Sequence, residues 1–340
     1  MNVSLAIPRE GKRALPYRAD IDGIRAVAIL AVVVYHAAPR ALPGGFTGVD
    51  VFFVISGYLV TGILVAGDVP IAGKLREFYR GRIRRLAPAL VVVLVTCLVA
   101  AWFLCVGTEL AYVGKSVFAS AVFLANVQLW RETDYFDTHR ARLLLHLWSL
   151  GVEGQFYLAW PLLLAAVGRW TPRRRRAVGC LMVLSFGLGL ALLRVDKDTA
   201  FSLPFGRLWQ FLAGALLALP AGSDCPVGTA RSVPVAWLLA LAGVALLGVS
   251  FTRISGARDY PGWWAILPTA GAACLLSAGS SAPAGGACWG TRRSPTSVGS
   301  VTRSTSGTGP CSSPRDGSVS TGPSSKRRRC RSRCPSQRPR

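Results

Sequence analysis

The sequence predicts an all-α fold, a polytopic transmembrane helix bundle of about nine apolar segments with a disordered basic C-terminal tail. Three observations carry that prediction. Of 340 residues, 51% are hydrophobic and only 16% charged, too apolar for an ordinary soluble domain. Apolar runs of about 20 residues recur, the length a helix needs to cross about 30 Å of hydrocarbon. The basic residues gather between those runs rather than inside them. The chain divides into a cytoplasmic N-terminal segment (1–21), a membrane domain (22–280) and a low-complexity basic tail (281–340).

The first 20 residues are polar and basic, without the apolar core and small-residue cleavage site of a signal peptide, so the first span is expected to act as its own signal-anchor. Candidate spans follow at 24–42, 47–66, 86–107, 111–130, 148–168, 177–194, 201–220, 234–251 and 262–280. The first begins with Tyr17-Arg-Ala-Asp-Ile-Asp-Gly-Ile-Arg25, in which Asp20 and Asp22 accompany two arginines and Asp22 can pair with Arg25 one turn on. Eleven positions after Arg25 comes His36, about three helical turns further and on the same face, roughly 16 Å away at 1.5 Å per residue. Ionisable groups at bilayer depth cost roughly 2.5–3.5 kcal/mol or more, so they usually line a working cavity. The plainer alternative is a neutral packing role for His36 and an Arg25 that snorkels to the interface.

The second span opens with a Gly-rich turn, Gly44 to Gly48, then carries Asp50, with Ser56 and Gly57 suited to close helix packing. Before the third span, Phe78 to Pro88 holds four arginines. Such a run is commonly a topology determinant or a lipid-headgroup contact. Arg82 and Arg85, one turn apart, also form a pair of guanidinium forks suited to phosphate. The span at 111–130 is the weakest, carrying Lys115, Asn126 and Gln128. The fifth opens with the richest constellation, His146, Trp148, Ser149, Glu153, Gln155 and Tyr157. An interfacial aromatic belt accounts for the Trp and Tyr but not for Glu153 and Gln155 running into hydrocarbon.

Three basic clusters set the orientation: Arg9 to Arg18 before the first span, Lys74 to Arg85 after the second, and Arg169 with Arg173–Arg176 after the fifth. All three are expected on the cytoplasmic side. Three apolar segments lie between Arg85 and Arg169, where an even number of crossings is required, so 111–130 is expected to be re-entrant. The formal net charge of +23 invites a nucleic-acid reading, yet Ser281–Arg340 holds 12 Lys/Arg against Asp316 alone and leaves +12 for the remainder. That remainder is juxtamembrane, and no nucleic-acid partner is expected. Nine scattered cysteines form neither a zinc site nor a disulfide framework.

Together these motifs resemble the integral-membrane acyltransferase 3 family. The likeness rests on Arg18 to Arg25 with His36, Gly45–Tyr58, Arg82 and Arg85, His146–Tyr157, Pro204–Gly214 and Tyr260–Pro268, and it covers about 17–280. Two positions depart from the family's pattern, Gly154 where it tends to have a second Glu, and Gln210 where it tends to have Glu. The resemblance implies transfer of an acyl group, typically acetyl, from cytosolic acyl-CoA to a hydroxyl of a surface carbohydrate or lipid-linked glycan. It implies His36 as the central catalytic residue with Glu153, and Arg25, Arg82 and Arg85 at the donor. Asp20, Asp22, Asp50, Ser56, His146, Trp148, Ser149, Gln155, Tyr157 and Arg207 are implied in support. No metal or resident cofactor is expected; acyl-CoA is a co-substrate. The expected location is the cell membrane, multi-pass, with the N-terminus cytoplasmic.

After about Ser280 the composition turns to Ser, Thr, Gly, Pro, Arg and Cys. Read in a shifted frame, Val301 to Pro310 is compatible with His-Ser-Leu-Tyr-Leu-Trp-His-Trp-Pro, which is similar to the start of a late helix of the same family. The tail is therefore expected to be out of frame. Two other readings stay open: a transporter or proton-coupled channel, since buried Arg, His, Asp and Glu also suit ion pathways, and an inactive truncated product of an acyltransferase gene.

Overall fold

The computed structural model describes residues 17–66, 71–132, 144–167, 171–219, 233–255 and 260–280; the basic tail, 281–340, lies outside the described residues. Among the described residues there are eleven α-helices and no strand. They are α1 (Ala19–Ala37), α2 (Gly48–Val65), α3 (Ile71–Leu104), α4 (Thr108–Ala121), α5 (Ala125–Glu132), α6 (Leu147–Ala166), α7 (Thr171–Val195), α8 (Lys197–Ser202), α9 (Leu208–Ala218), α10 (Val233–Arg253) and α11 (Ile266–Gly279). Four stretches of the described residues are long and apolar enough to cross a membrane: Gly45–Val65, Ile71–Leu104, Arg173–Val195 and Val233–Arg253.

Three of the other apolar segments are shifted or broken, each for a local reason. The first helix stops at Ala37, just before Pro39 and Pro43, so the expected span 24–42 lies earlier, from Ala19. The segment 201–220 is split into α8, a 3-10 turn at Pro204–Gly206 and the 11-residue α9. Asp196 caps α8 by accepting from the Thr199 amide at 2.8 Å. Segment 111–130 breaks into α4 and α5 at Val122–Leu124, where Phe123 has φ of 58°. There the Leu124 amide reaches Ala119 O at 2.7 Å and the Phe123 amide reaches Ser120 O at 3.2 Å. This is the Schellman pairing that closes a helix on a left-handed residue, here with phenylalanine in the place usual for glycine.

Side-chain pairings fix the direction of each helix. Gly48 approaches Ala28, Gly45 approaches Ala31 and Arg18 reaches Tyr58, so α1 and α2 are antiparallel. Tyr79 bonds Leu158 O at 2.9 Å while Leu90 and Leu94 cluster with Leu144 and Leu147, so α3 and α6 are antiparallel too. α2 and α9 are parallel: Asp50 meets Arg207 near their starts, and Val54 to Tyr58 meet Phe211 and Gly214 further on. A Cβ on Gly57 would fall 1.8 Å from Phe211 O, and one on Gly214 1.9 Å from Val54 O. Only glycine lets these backbones come so close.

One end of the bundle is consequently basic. Lys74 Nζ caps α2 through Leu64 O at 3.0 Å and through Ala66 O. Arg175 caps α9 through Leu216 O and Leu219 O, each at 3.1 Å. Cations suit helix C-termini, where carbonyls lack partners and the dipole is negative. At the same end Arg18 bonds Asp20 at 2.5 Å and Leu276 O, near the end of α11, at 2.9 Å. At the far end Gly44 donates to Phe251 O at 2.8 Å, joining the α1–α2 turn to the end of α10.

Candidate functional site

The donor-side residues come from helices far apart in sequence. Arg82 of α3 lies close enough to Arg25 of α1 and to Arg85 for their charges to repel, and close enough to Glu153 and Tyr157 of α6 to be attracted. Its guanidinium is stacked over the Tyr157 ring at 4.5 Å and over Phe78 at 5.4 Å. Arg85 is exposed and Arg82 half-buried, so the pair presents one inner and one outer fork. Asp22 partners Arg25 at 3.7 Å, as expected from their one-turn spacing, and accepts from Tyr17 at 2.7 Å. Asp20 instead accepts from Arg18, which ties the start of α1 to α2 and α11.

Glu153 is held from two sides. The hydroxyls of Ser56 on α2 and Tyr157 on α6 both donate to Glu153 Oε1, and they lie 3.1 Å from one another. Ser56 and Tyr157 are buried. Accepting both hydroxyls on one oxygen leaves this carboxylate little freedom to turn. Gln155, two residues on, points elsewhere: its Nε2 donates to Asn126 Oδ1 at 2.8 Å and to Phe123 O at 2.9 Å. Gln155 thus fixes the α4–α5 turn rather than joining the charged cluster.

His36, in the last turn of α1, is exposed. It interacts with His146 at the start of α6, and burial, reinforced by that neighbour, pushes the His146 imidazole below its ordinary value. Ser149 Oγ donates to His146 O at 3.2 Å and steadies the same turn. Each histidine therefore has the other near it at the end away from the arginines.

Beneath His36 lies a sealed ionic cluster. Arg207 Nη1 bonds Asp50 Oδ1 at 2.9 Å, and Tyr260 donates to Asp50 Oδ2. Both ion-pair side chains are at most 2% exposed. The guanidinium lies over Phe201 at 4.6 Å, Tyr260 at 5.2 Å and Trp148 at 5.7 Å, so aromatic faces replace water around it. Tyr260 packs edge-on against Phe46 at 4.9 Å, and Phe46 against Tyr35 at 5.2 Å, which joins the cluster to the turn of α1 that bears His36. Tyr260 and Asn126 have no functional role legible in the sequence, and Arg18 stands there only in a basic cluster that sets orientation. A Tyr before Pro in a loop carries no functional signal by itself; its partner stands 210 positions away.

The two departures at 154 and 210 have local settings. A Cβ on Gly154 would sit 2.4 Å from Phe123 Cδ1, and one on Gly151 would sit 2.8 Å from Asn126 Oδ1. The ring of Phe123 occupies the space a side chain at 154 would need. Gln210 is completely buried beside Asp50, a neutral amide next to a carboxylate that already has one guanidinium. Among the described residues no cluster of His, Cys, Asp or Glu suits a metal ion.

The profile of the acyltransferase 3 family, described as an acyltransferase domain, matches residues 18–292. The chain is 35% identical over 211 residues to the O-acetyltransferase OatA of Staphylococcus aureus strain NCTC 8325 / PS 47, a match covering 59% of this chain and 34% of that protein. It is 34% identical over 216 residues to proteins of Staphylococcus aureus strains MSSA476 and MRSA252, each named "Putative O-acetyltransferase", covering 61% of this chain and 35% of each of those. The matches span about a third of the length of these curated relatives. No solved structure matches the chain.

Proposed function

We propose that this chain, which belongs to the acyltransferase 3 family, moves an acyl group from acyl-CoA to a hydroxyl of a carbohydrate at a membrane. The acyl group is acetyl, the group named in the relatives' O-acetyltransferase activity. The observation that carries the proposal is the convergence of Arg25 with Arg82 and Arg85 beside Glu153, in line with His36 and His146 on the same helices. The basic end faces the cytoplasm, where acyl-CoA is made, and the N-terminus lies there too.

In this reading the arginines take the phosphates of acyl-CoA, as planar forks do well. Glu153, locked by Ser56 and Tyr157, lies near Arg82 and offsets its charge, while the Tyr157 ring stacks on the guanidinium. The thioester then extends along α1 toward His36, which accepts the proton of the acceptor hydroxyl as its oxygen attacks the carbonyl carbon. The C–O bond forms, the C–S bond breaks, and the imidazolium returns the proton to the thiolate. No acyl-enzyme intermediate is required.

Membranes carrying the chain are expected to transfer label from [14C]acetyl-CoA to carbohydrate. His36→Ala should lower that rate by about 100-fold or more, the usual contribution of a positioned general base. Equal rates in both would remove His36 from the chemistry. Solute flux without any acyl transfer would replace the enzyme by a transporter.

A further inference from the structure

The arginines of α3 are divided between two faces of the helix. α3 packs on α2, α4 and α6. On that inward side Ile71 and Phe78 are buried, Tyr79 bonds Leu158 O, and Arg82 stacks over Tyr157. Arg76, Arg80 and Arg84 follow one another at four-residue intervals and so form a single row. At about 100° per residue that row is turned well away from Arg82. All three are exposed, and none has a hydrogen bond or ion pair among the described residues. Glu77 is the acidic residue beside them, which leaves the outward face positive.

The row continues into a surface suited to lipid tails. Arg84 and Trp102 are 18 residues apart, five whole turns at 3.6 residues per turn, so they share a face. On that face Val91, Val95 and Trp102 are each more than half exposed, and Leu98 is exposed as well. All lie in the apolar part of the membrane-length helix Ile71–Leu104. Eighteen residues rise about 27 Å, close to the roughly 30 Å of a hydrocarbon core. With Trp102 at one interface, where tryptophan is favoured, Arg84 reaches the other. Arg80 stands about 6 Å further out and Arg76 about 12 Å, which carries the row through the headgroup layer. The anion present at that depth, against the side of a helix, is a phosphodiester. Guanidinium forks suit its oxygens, and a soluble acidic partner would meet Arg84 only through the lipid.

We infer that the Arg76, Arg80 and Arg84 row binds the headgroup of an anionic phospholipid, of which phosphatidylglycerol is the simplest, separately from the inward Arg82. The inference rests on the chain spanning a membrane and stands apart from the acyl-transfer reading.

Dansyl-labelled phosphatidylglycerol, titrated into the chain in neutral detergent and read by energy transfer from tryptophan, tests it. Dansyl-labelled phosphatidylcholine is the zwitterionic reference. Phosphatidylglycerol should bind the more tightly. An arginine near an anionic lipid surface is worth about fivefold in affinity. Arg80→Gln should therefore weaken phosphatidylglycerol about fivefold, and Arg76→Gln, Arg80→Gln and Arg84→Gln combined about 100-fold, with phosphatidylcholine unchanged. Arg80→Gln alone carries the test if the triple variant does not fold. Arg82→Gln should leave lipid affinity where it was. No preference for phosphatidylglycerol in the parent, unchanged affinity in Arg80→Gln, or an equal loss in Arg82→Gln overturns the site. Displacement of the labelled lipid by acetyl-CoA or inorganic phosphate at constant ionic strength also overturns it and assigns the row to a soluble phosphate. Acyl transfer is decided separately, by His36→Ala.

Discussion

Asp50 and Arg207 stand 157 positions apart and pair with one another, fully buried, near the starts of α2 and α9. A carboxylate in an apolar helix announces in the sequence that it has a partner, because leaving it unpaired costs several kcal/mol. Which arginine answers it is not legible, since the pairing depends on α2 and α9 running parallel. Asp50→Asn should therefore lower stability by about 3–5 kcal/mol, leaving Arg207 buried and uncompensated. Asp50→Leu with Arg207→Met should recover most of that loss, both read as thermal unfolding in detergent. Arg82, stacked on Tyr157 and close to Arg25, was legible as half of a paired fork; that it faces inward while Arg85 faces outward depends on the packing of α6. Arg82→Lys keeps the charge but loses the stack and the fork, and should raise the KM for acetyl-CoA more than it lowers kcat. Burial, reinforced by His36, pulls the His146 imidazole below its ordinary value, so the fold disfavours its protonated form. Because the unfolded chain binds that proton more readily, its contribution is complete above about pH 6.5 and is lost as pH falls below it. The fall in unfolding temperature between pH 7 and 5.5 should be smaller in His146→Asn than in the parent.

The elements most plainly written in the sequence are those with long apolar runs, α2, α3, α7 and α10. The break between α4 and α5 was foreseen only as a weakness, because Val122-Phe-Leu124 holds no glycine, asparagine or proline to mark a turn. A phenylalanine in the left-handed region costs roughly 1–2 kcal/mol, and here its ring rests against Gly154. Phe123→Gly removes that backbone cost and the ring contact together. It should leave overall stability little changed yet loosen the hairpin, seen as faster amide exchange at 124–128. Gly154→Val should do more damage, since even the first carbon of its branched side chain would fall 2.4 Å from the Phe123 ring. Pairing Gly154→Val with Phe123→Ala should restore part of the loss, a coupling that side chains not in contact would not show.

Across the whole molecule, α1, α3, α7 and α10 run away from the basic end and α2, α6, α9 and α11 return to it, as the pairings of Arg18, Lys74, Arg175 and Gly44 require. Between α3 and α6, the segment expected to be re-entrant is the pair α4 and α5, with its turn against Gly151 and Gly154. Basic clusters on alternating loops made the gathering of cations at one end legible from sequence; the depth of the α4–α5 turn was not, because it is set by Asn126 and Gln155 meeting across 29 positions. The same arrangement sets the arginines at one end and the histidine pair toward the other, which is the physical core of the proposed reaction. Sealed vesicles of known orientation test it most directly, with acetyl-CoA supplied outside and acyl transfer to carbohydrate measured. Transfer should require inside-out vesicles, which present the arginine end to the donor, and should collapse in His36→Ala; equal transfer in right-side-out vesicles, or undiminished transfer by His36→Ala, would contradict the account.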